Sequence, residues 1–474
     1  MDDLHYLSAT DALRMFRSRE LSPVELMEAV IARAEAVEPA VNAFTYTYFD
    51  TALDQARAAA ERFAHGDEGR ALEGLPVAMK DEVPIEGLAW ENGSLTMKGV
   101  IADHSAPIAE RVLDAGGVVH ARTTTPEFSC AAFTHSAMWG VTRNPWSLEW
   151  GVGGSSGGSG AALAAGSATL AGGSDIGGSI RIPASFDGVV GFKPPYGRVP
   201  VDAPYHLDHY CHDGPLARTV ADCALFENAI AGPHPHDVVS LRPRYELPDR
   251  FEGIEGMRIA LASPLGDFPM DREVAMNTAA AGEVFAALGA IVEPVTLPWS
   301  YEEIIEVTLI HFGAVFGAAI GEAAAAHPDL ITPYAAELGR LRDEAITRSS
   351  FHEGLEREAA IYAPLGELLE RHDVLVCPTV GTRGLVAGDD YVDHGVEVDG
   401  QLIDPYLAAC FTPPFNIASR CPVLAVPSGF ADNGVPTGIQ IVGRTYDDVS
   451  VFRAAAAYER ARPWLDAPER RPAL

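Results

Sequence analysis

Residues 151–160 read GVGGSSGGSG and residues 172–183 read GGSDIGGSIRIP. Segments this rich in glycine lose much conformational freedom on folding. That loss makes sense where backbone N–H groups must approach a bound group closely. The phosphate-loop patterns are not met. No lysine lies between Lys98 and Lys193, and Ser156 stands where G-x-G-x-x-G needs glycine. Gly154-Ser155-Ser156-Gly157-Gly158 does satisfy G-x-S-x-G, which admits an α/β-hydrolase-like serine esterase with Ser156 as nucleophile. A plain flexible linker would lack the embedded Asp175, Arg181 and Pro183.

Outward from these loops, short apolar runs ending in turn residues predict strands at 75–79, 117–121, 257–262, 290–295, 374–377, 423–426 and 438–442. Helical patterns lie between them, at 108–115 and 272–287. The first 70 residues read as helices, one of them opened by Ser22-Pro23-Val24-Glu25, a capping-box pattern with proline at the first helical position. Strands alternating with helices argue an α/β fold with a largely parallel sheet. The expected organisation is one domain over 1–474: a helical part to about 70, a core from about 70 to 220, and a variable, substrate-specific region from about 233 to 408.

The chain has 474 residues, 47% hydrophobic and 21% charged, enough apolar sequence for a large core. Its net charge of -32 disfavours direct contact with nucleic acid or anionic membranes. MDDLHYLSAT has no basic or long apolar stretch, and the apolar window 308–326 contains His311 and Glu322, so neither reads as a signal or a span. Six scattered cysteines predict free thiols, and a cytoplasmic protein is expected. His206, His209 and His212 recur every third residue beside Asp208 and Asp213, but the spacing fits no common metal motif; no metal and no cofactor are expected.

Three ordered motifs carry a resemblance. GGSSGGS (153–159), DIGGSIRIP (175–183) and GLPVAMKDE (74–82) resemble the two serine loops and the lysine strand of the amidase signature enzymes. TRNPW (142–146), GVVGFKPPYGRVP (188–200) and PTGIQIVG (436–443) extend the similarity over most of the chain. The resemblance implies an α/β fold with a large mixed, mostly parallel twisted sheet covered by helices on both faces. It also implies an amidase with a Ser–cis-Ser–Lys triad: Ser179 as nucleophile, Ser155 as the bridging serine after a cis peptide, Lys80 as base. The backbone N–H groups of Ile176, Gly177, Gly178 and Ser179 are expected to form the oxyanion hole. Ser156, Ser174, Asp175 and Arg181 are expected to support the site.

The chemistry is consistent with elementary requirements. A serine hydroxyl needs a base, and no histidine lies in the Gly-Ser loops. Lys80 can serve only when neutral, a form that burial favours. Asp81 and Glu82 would oppose this, so their side chains are expected to point elsewhere or to be tied up. Substrate-lining candidates are Met138, Trp139, His206, His209 and parts of the 301–316 helix. The expected partner is a small-molecule amide, with a homodimer left open. A second function is the A subunit of the tRNA-dependent amidotransferase, a glutaminase of the same family. HLDHYCHDGP (206–215) and TTPEF (124–128) depart from the usual segments of that enzyme.

Overall fold

The computed structural model describes residues 3–315 and 317–474. Eleven strands form one sheet. In chain order they are β1 (Phe44–Thr47), β2 (Pro76–Lys80), β3 (Val118–Thr123), β4 (Leu170–Asp175), β5 (Val190–Lys193) and β6 (His212–Ala217), then β7 (Arg258–Leu261), β8 (Ile291–Pro294), β9 (Val374–Pro378), β10 (Val423–Phe430) and β11 (Pro436–Gly443). Across the sheet the order is β1-β3-β2-β4-β6-β5-β10-β11-β9-β7-β8. All seven expected strands are in it, and the α/β class and mixed sheet stand.

The balance of directions differs from the expectation. Parallel pairing is confined to β3-β2-β4 on one side and β9-β7-β8 on the other. Every pairing from β4 through β6, β5, β10 and β11 to β9 is antiparallel, as is β1 with β3. For β10 and β11 the cause is connection length. Residues 431–435 alone join β10 to β11, too few for the crossover that parallel neighbours need. The first 70 residues are also not purely helical. Between helices Pro23–Val41 and Phe49–Ala64 the segment FTYT forms β1 at the sheet edge, as its aromatic and β-branched residues favour. The predicted capping box is formed: Ser22 Oγ accepts from the Val24 N–H, and the Ser22 N–H donates to Glu25 at 2.8 Å.

Two large apolar clusters flank the sheet. One gathers the N-terminal helices with helix Asp448–Ala461. The other gathers helices Tyr301–Ala314 and Phe351–Leu369. Among the described residues all six cysteines are free. No single helix there is long and apolar enough to cross a membrane.

Candidate active site

β2 is buried along its whole length and ends in Lys80, which is fully buried. Its neighbour β4 ends in Ser174 and Asp175. Lys80 Nζ donates to Ser155 Oγ at 2.7 Å and to Ser174 Oγ at 2.8 Å. The Gly154–Ser155 peptide is cis. The loop cannot carry a side chain at 154, because a Cβ there would lie 2.3 Å from the Phe133 carbonyl oxygen. The Ser156 N–H donates to the Ser179 carbonyl at 3.1 Å, which ties the two serine loops together.

The turn 175–181 is organised by one buried ion pair. Arg181 donates from Nε and Nη2 to the two Asp175 carboxylate oxygens, both at 2.9 Å. Its remaining N–H groups reach Asn416 Oδ1, Gln440 Oε1 and the Thr412 carbonyl. Burial works against the Asp175 charge, but Arg181 outweighs it and holds the carboxyl well below the usual range. Asp175 in turn accepts from the N–H groups of Gly178 and Ile180. This corrects one expectation: the Gly178 N–H is spent inside the turn, because the Asp175 carboxylate lies closer than any incoming group. The N–H groups of Ile176, Gly177 and Ser179 make no hydrogen bond among the described residues. Gly178 is required for another reason. Its φ is +126°, and a Cβ there would meet Thr412 Oγ1 at 2.1 Å.

The two supporting serines differ. Ser174 accepts from Lys80 and donates to Glu82 at 2.6 Å. Ser156 is fully buried, and its hydroxyl is used by the backbone of Ser174 at 3.2 and 3.3 Å. Nothing in that arrangement activates Ser156 as a nucleophile.

Glu82 meets its expectation only in part. It is tied to Ser174 by a hydrogen bond, yet its carboxylate sits 2.6 Å from Lys80 Nζ instead of turning away. Burial raises the Glu82 carboxyl, but the Lys80 charge and hydrogen bond prevail and hold it below its ordinary value. Glu82→Gln removes the carboxylate that faces Lys80. The acid limb of kcat/KM is then expected to move, because the Glu82 carboxyl, held below its ordinary value beside Lys80, no longer ionises in the site. A pH profile identical to wild type would show that this contact does not govern the active protonation state.

Ser179 lies on the wall of a cavity. Gly154, Ile176, Leu309, Phe312, Tyr334, Leu341 and Tyr406 line it, so helix Tyr301–Ala314 forms part of the wall. Phe316 lies outside the described residues. The other lining candidates are corrected. Met138 and Trp139 belong to a hairpin packed on Asn42 and Tyr46, and neither lines this cavity. His206 is held through its backbone by the Tyr196 hydroxyl, and His209 is drawn to Glu358 at 3.1 Å.

The three histidines therefore separate. His212 lies between the Tyr210 and Ser419 carbonyls and Lys193. His209 joins Asp208 and His311, whose donor atoms lie within 4.8 Å of one another, as metal ligands would. These groups already bind each other: His311 Nε2 is 2.7 Å from Asp208, and the Tyr210 hydroxyl donates to Glu358 at 2.9 Å. Burial lowers the His311 imidazole, yet its bonds to Asp208 and Glu358 prevail and raise it above the usual histidine value. A raised histidine stabilises the fold fully below about pH 6.5, and this contribution fades as pH rises through the folded-state value. Thermal unfolding of His311→Asn is expected to lose the part of the pH dependence that lies above that point. An unchanged Tm–pH curve would assign the dependence to other groups.

Sequence reading missed Thr412, Asn416 and Gln440, which complete the Asp175–Arg181 network from a distant segment. The only signal was polar side chains within otherwise apolar, buried sequence, such as Gln440 in β11.

Known proteins resemble this chain over nearly its full length. The A subunit of glutamyl-tRNA(Gln) amidotransferase from Thermosynechococcus vestitus is 33% identical, covering 95% of this chain and 97% of the relative. That of Acidothermus cellulolyticus is 34% identical, covering 97% and 95%. Among solved structures, a bacterial aryl acylamidase of the amidase signature family superimposes with TM-score 0.89 at 29% identity, covering 97% of each chain. The A subunit of the Thermotoga maritima amidotransferase superimposes with TM-score 0.75 at 27% identity, covering 98% and 96%. The family model described as Amidase matches residues 25–452, and the chain belongs to the amidase signature family.

Proposed function

We propose that the chain is a serine amidase that cleaves a carboxamide C–N bond through an acyl-enzyme. Ser179 is the nucleophile, Ser155 the relay and Lys80 the base. The observation that carries this reading is the 2.7 Å contact from the buried Lys80 amine to the Ser155 hydroxyl, beside a loop whose Ser179 faces an apolar cavity.

In this reading the Ser179 oxygen attacks the amide carbon while its proton passes to Ser155 and the Ser155 proton to neutral Lys80. The N–H groups of Ile176, Gly177 and Ser179 receive the developing oxyanion. Ser155 then protonates the leaving nitrogen, the C–N bond breaks, and Lys80 returns its proton to Ser155. Water attacks the acyl-enzyme by the same relay and releases the acid. Thr412 supports the turn by donating to the Gly177 carbonyl at 2.6 Å.

A second reading makes the chain the A subunit of an amidotransferase. Sequence relatives favour it: eight such amidotransferase chains are 32–34% identical over 94–98% of this one. The geometry favours the first. Free glutamine carries an α-carboxylate that wants a cationic partner, whereas the cavity wall includes Glu337, Asp390 and Asp404 and, among the described residues, no lysine or arginine. Its aromatic and aliphatic lining suits an aryl or alkyl acyl group.

The test is amine or ammonia release from aryl, alkyl and peptide amides and from glutamine. Aryl or alkyl amides turned over with glutamine inert is the expected result. Turnover confined to glutamine, together with assembly onto the other components of an amidotransferase, would establish the second reading.

A further inference from the structure

Two cavities meet at the serine pair. The apolar one holds Ser179 and Gly154. A second holds Ser155, Ser174 and Glu82, and Ser129 and Ile176 line both. Each wall carries three carboxyls and, among the described residues, no lysine or arginine; those of the second are Glu82, Asp202 and Asp213. Glu82 is held by Lys80, and Asp202 is bonded to His104 Nε2 at 2.9 Å.

Asp213 has no such partner. It is 7% exposed, it faces this cavity, and among the described residues its carboxyl makes no hydrogen bond or ion pair. Its position follows from register. β6 pairs with β4 antiparallel, with Asp213 opposite Ser174, so both side chains leave the same face of the sheet. The carboxyl therefore stands beside the hydroxyl that touches Lys80. Burial, reinforced by Glu82, raises Asp213 well above the usual carboxylate range. A carboxyl that no protein donor satisfies and that opens onto the cavity is free to pair with a cation held there.

Resting on the proposed acyl-transfer reading, the leaving nitrogen takes its proton from Ser155 and so departs on the side of this second cavity. We infer that the second cavity receives the amine half of the substrate and selects a leaving amine that bears a further cationic nitrogen, as in an amide of a diamine. The apolar cavity then takes the acyl half. Hydrolysis releases the acid and the diamine, with the relay proton on the departing nitrogen and the water hydroxyl on the acyl carbon.

Two amides sharing one aryl acyl group test this: the N-(3-aminopropyl) amide and its uncharged N-butyl analogue. Wild type is expected to favour the cationic amide by about tenfold or more in kcat/KM, a single well-placed charge contact being of that order. The preference should fall several-fold in Asp213→Asn, and also in Asp202→Asn on the same cavity wall. Binding is read without turnover by calorimetry, with 1,3-diaminopropane against uncharged 1,3-propanediol. The diamine should bind at least tenfold more tightly, and Asp213→Asn should abolish the difference. Equal kcat/KM for the two amides would overturn the inference and leave the amidase reading intact. Diamine bound selectively by a folded enzyme that hydrolyses neither amide would support the cation site and remove the amidase reading. Neither turnover nor selective binding would overturn both.

Discussion

Ser179→Ala is expected to abolish amide hydrolysis, with kcat falling by about 10⁴-fold or more, as when a serine nucleophile is removed from an interdependent triad. The substitution removes one hydroxyl from a residue that is 7% exposed and whose carbonyl still binds the Ser156 N–H, so the fold should survive. Covalent labelling by a fluorophosphonate should vanish with activity. Ser155→Ala should also be severe, because it cuts the path from Ser179 to Lys80. Ser156→Ala should cost far less in turnover, since that hydroxyl serves only the backbone of Ser174. Labelling retained in Ser179→Ala and lost in Ser156→Ala would reverse these roles and revive the nucleophile-elbow reading.

Arg181→Met is expected to destabilise the protein by about 3–5 kcal/mol, the usual consequence of leaving one member of a buried ion pair uncompensated. Arg181 and Asp175 are both fully buried. Removing the guanidinium strands the Asp175 carboxylate and also frees Asn416, Gln440 and the Thr412 carbonyl. Activity should fall with stability, because Asp175 holds the Gly178 and Ile180 N–H groups that shape the turn before and after Ser179. Arg181→Lys should recover little of either, since an ammonium lacks the planar fork that meets two carboxylate oxygens and three other acceptors. Urea unfolding decides the matter. A variant within about 1 kcal/mol of wild type would mean that the other donors to Asp175 suffice without Arg181.

The two variants also probe the two parts of the molecule that differ most in how far they can be read from sequence. The serine loops are legible because their glycines and serines occupy fixed, ordered positions. Gly154 and Gly178 have no room for a side chain, so the pattern records a steric requirement. The strands that carry the site are much less legible. β4 reads LAGGSD and β6 reads HDGPLA. Neither shows the apolar run or the alternation that marks 257–262 or 374–377 as strands, because their residues serve hydrogen bonding and close backbone approach rather than core burial. The four unexpected strands of the main sheet, β1, β4, β5 and β6, lie in the half of it that builds the site or beside it.

What the sequence determined by itself is the chemistry available: a lysine closing a buried apolar strand, two serine loops in order, an acid and an arginine six residues apart, and an α/β pattern around them. These features are local, and spacing along the chain suffices to record them. Only the tertiary structure decided which groups face one another. It turned Glu82 toward Lys80, spent the Gly178 N–H on Asp175, drew His209 to Glu358 and left Asp213 facing a cavity without a partner. Each of these depends on contacts between segments or on the sense of a side chain at a strand end. Such contacts follow from sheet register and packing, which a linear pattern of residue types does not encode.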